Sequence, residues 1–173
     1  MWDTRKQTRE KLGPQSFYLY VQTSFCILAV AMKHEHSEYC NCLYYSANAL
    51  ARVLTKIAEE EFAVAGLAPS YAFLLMTVNG KPGIQPTEIS AHMQLTASTV
   101  TRLIEKMEHK GFLERHSQGK FTYVYPTEKS RKLNKKIHEA WMSLYKRYSD
   151  LLGEQKGRAL TSAVYQASKK LEK

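Results

Sequence analysis

The sequence predicts a mostly α fold of the α+β winged-helix type, a winged helix-turn-helix lobe joined to a helical lobe. Three observations carry that expectation. Residues 86–111 hold two short helical patterns separated by a tight turn, residues 112–126 hold a two-strand alternation around a polar turn, and long amphipathic patterns flank both.

The first short helix opens at Pro86, whose missing N–H costs nothing in a first turn. Ile89 and Met93 stand four apart and share one apolar face, after which Gln94 and Leu95 carry the turn. Thr96 then suits an N-cap, its hydroxyl accepting from the backbone N–H of Ser98 or Thr99. Val100, Leu103, Ile104 and Met107 recur at helical spacing and form the buried stripe. Ser98, Thr99, Thr101, Arg102 and Lys106 fall mostly outside it, and Gly111 stands where a left-handed residue stops a helix. A strand at 112–115, a polar turn around Ser117–Lys120 and a second strand at 121–125 follow, the last alternating Phe121, Tyr123 and Tyr125 with Thr122 and Val124 until Pro126. Small hydroxyls and an arginine on the first turns of a helix are residue types that enter a DNA major groove, and a hairpin tipped with Gly and Lys can lie along phosphates or in the minor groove.

The flanking segments read as helices. Residues 39–64 place Leu43, Ala47, Leu50, Leu54 and Ile57 on one face, and residues 69–79 form a shorter apolar helix behind Pro69. From about Thr127 to Leu152, Leu133, Ile137, Trp141, Leu144, Tyr148 and Leu151 stand at helical spacing until Gly153. A last helix over 154–171 offers Leu160, Val164, Ala167 and Leu171. These terminal helices are too apolar to stand alone, which predicts a two-fold dimer reading two half-sites. Trp141, Tyr145 and Tyr148 fit dimer or core packing better than a ligand box.

Charge agrees with a phosphate-binding partner. The formal net charge is +9, and from Ser98 to Lys136 ten Lys/Arg stand against four Glu. Enzyme signatures are missing: the sequence has no Gly-rich phosphate loop, no H-E-x-x-H and no G-x-S-x-G. The run Glu59–Glu61 reads as a solvated helix face, and no cofactor is expected. His92 and His109 read as surface or boundary residues, and His116 lies at the wing.

The stretches PSYAFLL, PTEISAHMQLTASTVTRLIEKMEHKGFLER and YPTEKSRKL, in that order, resemble the MarR family of winged-helix transcription regulators. The resemblance runs from about Cys40 to the C-terminus. It implies a winged helix at about 67–126, dimerisation helices at about 39–64 and 127–171, double-stranded DNA and a second copy as partners, and a small-molecule effector whose identity no residue gives. The DNA-binding set is then Thr96, Ser98, Thr99, Thr101, Arg102, Lys106, Arg115 and Lys120, with Arg102 toward a base edge and Lys106, Arg115 and Lys120 toward phosphates. Many members carry Asp-x-Arg at the wing tip; here Gln118 stands near the aspartate position and Lys120 near the arginine. A purely structural winged helix that binds proteins is the alternative, and the small polar face of the second helix argues against it.

The N-terminal 36 residues stand outside that plan. Arg5, Lys6, Arg9 and Lys11 precede an apolar run at 17–32 with Ala29-Val30-Ala31 as an A-x-A-like site, the pattern of a signal peptide. The run is short for a membrane span and carries Gln22, Thr23 and Ser24. Export would separate a DNA-binding protein from its DNA, so Met32 is the preferred start and a cytoplasmic location is expected; an additional helix and membrane targeting remain open. Just beyond it, YCNCLYYS is similar to the reactive-cysteine stretch of organic-hydroperoxide-sensing members of the family, which makes Cys40 a redox candidate with Cys42 beside it, although the match falls out of step with Gly66-Leu67 by about one helical turn. His34, His36, Cys40 and Cys42 form an HxHx3CxC cluster of metal-ligating types at a spacing that is no established zinc pattern. Two structural thiols in a reducing compartment are the plainer reading.

Overall fold

The computed structural model describes residues 38–172, so His34, His36, Cys26 and the apolar run before Met32 lie outside the described residues. Chain contacts divide the molecule after Ala47; of the first unit residues 38–47 are described, a turn followed by the opening of a helix. In order come α1 (Leu43–Phe62), a single 3₁₀ turn (Ala63–Ala65), α2 (Pro69–Gly80), α3 (Pro86–Met93), α4 (Ala97–His109), β1 (Leu113–Gln118), β2 (Phe121–Pro126), α5 (Glu128–Leu152) and α6 (Glu154–Leu171).

Local chemistry sets most of these boundaries. Pro69 and Pro86 open α2 and α3 in the first turn, as a residue without an N–H can. Threonines cap the two helices that matter most: Thr96 Oγ1 accepts from Thr99 N at 3.3 Å, and Thr127 Oγ1 accepts from Ser130 N at 3.3 Å. Helix α4 ends with Phe112 N–H on Met107 O (2.9 Å) and Gly111 N–H on Glu108 O (2.8 Å), the paired bonds of a Schellman cap.

The core lies among α2, α3, α4, β2 and the first half of α5. Leu74, Leu75, Val78, Ile84, Ile89, Val100, Met107, Val124 and Ile137 are all fully buried. Phe62 ends α1 in the same cluster, edge-on to Phe73 at 5.5 Å. The rest of α1 and α6 contributes little: Ala58 and Phe62 are the buried residues of α1, and Gly157 is that of α6.

Two sequence expectations change. The polar turn expected around Ser117–Lys120 is tighter, because the antiparallel ladder runs on to Gln118↔Phe121 and leaves only Gly119-Lys120 as the turn. Gly119 adopts φ 61° whereas Lys120 has no positive φ, the pattern of a two-residue hairpin turn with glycine first. The acidic run is not simply solvated either. Arg147 of α5 forks between Glu60 (2.7 Å) and Glu61 (2.9 Å). A Ser143 hydroxyl bond, followed by the Arg147 bond, holds the Glu61 carboxyl below the usual carboxylate range.

The base of the wing is braced from outside. Ile84 bridges Val124, with Gly83 N–H on Val124 O (2.9 Å) and Val124 N–H on Ile84 O (3.0 Å). Gly83 has φ +81°, and a Cβ there would stand 3.0 Å from the Tyr125 hydroxyl. Gly83→Ala is therefore expected to cost about 1–2 kcal/mol of stability in urea unfolding, most of it from the positive φ. A change within error would mean that this loop is slack.

Candidate nucleic-acid interface

Helices α3 and α4 are joined by a turn that needs one unusual backbone conformation. Gln94 adopts φ 52°, ψ 44°, with its N–H on Ser90 O, and Leu95 N–H reaches the same carbonyl at 3.1 Å. The Ser90 hydroxyl closes the turn from the other side onto Leu95 O. Two apolar anchors then fix the angle of α4: Ile89 from α3, and Val100 with Ile104 from α4, all inside the core.

With that stripe inward, the opposite face of α4 is exposed. It presents Ser98, Thr99, Thr101, Arg102 and Lys106, with Thr96 just ahead. The hydroxyls form a cluster at the helix start: Thr96 Oγ1 lies 3.1 Å from Ser98 Oγ and 2.9 Å from Thr99 Oγ1. Thr101 is exposed, and its hydroxyl donates back to Ala97 O at 2.9 Å. Neither Arg102 nor Lys106 forms an ion pair among the described residues, which leaves both charges available to a ligand. Glu105 is exposed on the same face, a carboxylate that the sequence reading passed over and a group able to accept from a cytosine amino group.

The wing presents its charges unequally. Lys120 stands in the two-residue turn, exposed and without an ion pair among the described residues, next to Phe121 at 57 % exposure. Arg115 is tethered: its guanidinium meets Glu108 Oε2 at 2.6 Å while its own N–H donates to Glu108 Oε1 at 3.2 Å. The guanidinium's hydrogen bond to the Glu108 carboxylate, set against partial burial, raises its pKa further above the ordinary value. The structure thus brings Thr96, Ser98, Thr99, Thr101, Arg102 and Lys106 onto one face and Lys120 to the wing tip, and it fastens Arg115 to the end of α4.

Cys40 and Cys42 are both exposed and unbridged. Cys42 directly precedes α1 and its carbonyl accepts from Ser46 N at 2.9 Å, while the Ser46 hydroxyl donates to Cys40 O at 2.7 Å. No group of three His, Cys, Asp or Glu residues fit to hold a metal occurs among the described residues.

A helix-turn-helix whose second helix is followed by a hairpin braced at its base is a winged helix-turn-helix. Residues 67–118, from just after the 3₁₀ turn through β1, match the model of the MarR family. The chain is 28 % identical over 87 residues to the uncharacterized HTH-type transcriptional regulator YybA of Bacillus subtilis (strain 168), covering 49 % of this chain and 58 % of that protein's length. A MarR protein from Peptoclostridium difficile superposes with TM-score 0.68 at 19 % identity over 82 % of this chain and 95 % of its own. A MarR-family regulator from Listeria monocytogenes, solved with a 26mer DNA, superposes with TM-score 0.63 at 20 % identity over 75 % and 88 %. At these identities the solved structures share the fold.

Proposed function

We propose that the chain is a double-stranded DNA-binding transcriptional regulator that acts as a homodimer and responds to a small-molecule effector as a repressor. One observation carries the DNA reading: the exposed face of α4 offers Arg102 and Lys106, without an ion pair among the described residues, beside a capped cluster of hydroxyls, on a helix whose other face is locked into the core. The 26mer DNA bound by the Listeria monocytogenes regulator and the transcriptional-regulator name of the Bacillus subtilis relative support the same reading.

The homodimer reading is supported by what a single copy leaves in water. Val53, Leu54, Trp141, Met142, Leu151, Leu160, Val164 and Leu171 are between 36 % and 75 % exposed on α1, α5 and α6. A cleft of about 340 Å³ lies among these helices, lined by Leu50, Leu54, Tyr148, Leu152, Leu160 and Val164. We assign that apolar surface to a second copy, whose reading head then meets the next half-site. No single helix among the described residues is long and apolar enough to cross a membrane; a bent pair, 43–65 with 69–80, passes by length and composition, but its second helix buries Ala72, Leu74, Leu75 and Val78 in the core. A cytoplasmic location follows from the DNA reading.

The exposure of Cys40 and Cys42 favours one second reading, a thiol-based sensor in the same regulator. Peroxide treatment would then change DNA affinity, and Cys40→Ser would abolish the change.

The test is fluorescence anisotropy of the protein with its own upstream DNA and with a scrambled duplex, in reducing buffer at several salt concentrations. A regulator prefers its own duplex and loses affinity steeply with salt; equal, salt-insensitive weak binding would sink the reading. Lys120→Ala should weaken both duplexes alike, about twofold to fivefold, and flatten the salt slope by about two units, one for each copy of the dimer.

A further inference from the structure

The far end of the reading helix α4 is gripped by the start of α5. The carbonyls at its C-cap and just beyond belong to Lys110, Gly111 and Phe112, and each has a partner from residues 127–129. Thr127 N–H donates to Phe112 O at 3.1 Å. Thr127 Oγ1 lies 2.8 Å from Gly111 O and 3.1 Å from Phe112 O. Its single proton belongs to the nearer Gly111 oxygen, because the Phe112 oxygen already receives the Thr127 N–H. Lys129 Nζ donates to Lys110 O at 2.7 Å, with its ammonium 4.3 Å from the centre of the Phe112 ring.

The grip continues inward. The same Thr127 oxygen that donates to Gly111 O, just past α4, accepts from Ser130 N and caps α5. Ser130 is fully buried and accepts from Asn79 Nδ2 of α2 at 2.8 Å. That amide also donates to Leu75 O at 2.7 Å, so the chain of bonds ends in the core. A cation on the last carbonyls of a helix sits where the helix dipole favours it. Lys129 therefore has an intramolecular role, although by sequence it counts with the basic residues around the reading head.

We propose that Thr127 and Lys129 are positioning residues that fix the reading helix to α5, so that selection of a DNA sequence depends on them while general attraction to DNA does not. The proposal rests on the DNA-binding reading above. A reading helix pinned at its C-terminal turn keeps its angle relative to the helix that leads into the dimer surface. Released there, it still attracts phosphate through Lys106 and Lys120, but it no longer holds Arg102 in one register.

The test uses the full chain and a duplex selected from a random library, with a scrambled duplex of the same length, titrated at several KCl concentrations. Lys129→Met is the first variant, because Lys129 is exposed and its loss leaves the core intact. Selective affinity should fall about fivefold to tenfold, with the scrambled duplex within about twofold and the salt slope unchanged. A Lys129 bound to phosphate would instead weaken both duplexes together and lower the slope by about two units, one for each copy of the dimer, which overturns the proposal. Unchanged selectivity overturns it as well. Thr127→Val should repeat the selective loss, and Thr127→Ser should restore it. If the wild-type chain selects no duplex at all, the regulator reading fails and the joint is judged by amide hydrogen exchange. Thr127→Val must then speed exchange in the last turn of α4 by about tenfold, and an unaltered rate overturns the joint itself.

Discussion

Arg102→Ala is expected to erase most of the preference for the selected duplex while leaving affinity for a scrambled one within about threefold. Arg102 lies on the exposed face of α4, six residues beyond the Thr96 cap, and makes no ion pair among the described residues. A guanidinium in that position reaches a guanine edge with two parallel hydrogen bonds, a contact that discriminates by about 1–3 kcal/mol per site. A dimer makes that contact twice, so the loss of selective affinity should reach about a hundredfold or more. Arg102→Lys keeps the charge but not the fork, and should recover salt-dependent attraction without recovering selectivity. Anisotropy titrations of the three proteins on both duplexes decide it. Equal losses on both duplexes would move Arg102 to the phosphates and leave sequence reading to Ser98, Thr99, Thr101 or Glu105.

The sequence shows α4 well because its signals are local. A hydroxyl ahead of the helix, a stripe at 3.6-residue spacing and a glycine after it lie within sixteen residues, and the cap, the buried Val100, Ile104 and Met107 and the Schellman bonds stand where those signals put them. The turn before α4 was legible as a turn but not as a left-handed glutamine, since Gln94 carries no conformational signal of its own. Side-chain partners were the part out of reach. Arg115 reads as one more cation near DNA, and only the path of the chain from α4 into β1 brings Glu108 onto it. Lys129 and Lys110 are nineteen positions apart, and Arg147 reaches Glu60 and Glu61 across more than eighty. Charge patterning counts such residues correctly and cannot say which of them the fold has already engaged.

The largest single change is expected from the double variant Leu160→Glu/Val164→Glu. Both side chains lie four apart on α6 and are 40 % and 51 % exposed in one copy. Helix α6 buries only Gly157, where a Cβ would stand 4.0 Å from Ser149 Oγ of α5; beyond it Leu160, Val164 and Leu171 are 40 %, 51 % and 75 % exposed. An eighteen-residue helix with one buried residue does not hold its shape in water without a partner for that stripe. Burying a half-exposed Leu or Val contributes about 1 kcal/mol, and many such residues from two copies together offset an association cost of about 4–15 kcal/mol. Four glutamates in the same seam reverse the balance, because each must be desolvated without a cation to meet it. Sedimentation should therefore show a monomer at micromolar concentration, where a dimer is expected of the wild type. Affinity for the selected duplex should fall by about a hundredfold to a thousandfold, since two linked reading heads bind as one unit and separate heads do not. The fold of the winged helix should survive, because Leu74, Ile89, Ile104 and Val124 lie apart from the substituted stripe in the core of α2, α3, α4 and β2. A double variant that stays dimeric, or a monomer that still binds the selected duplex as tightly as the wild type, would separate the apolar face from DNA recognition and assign it to another partner.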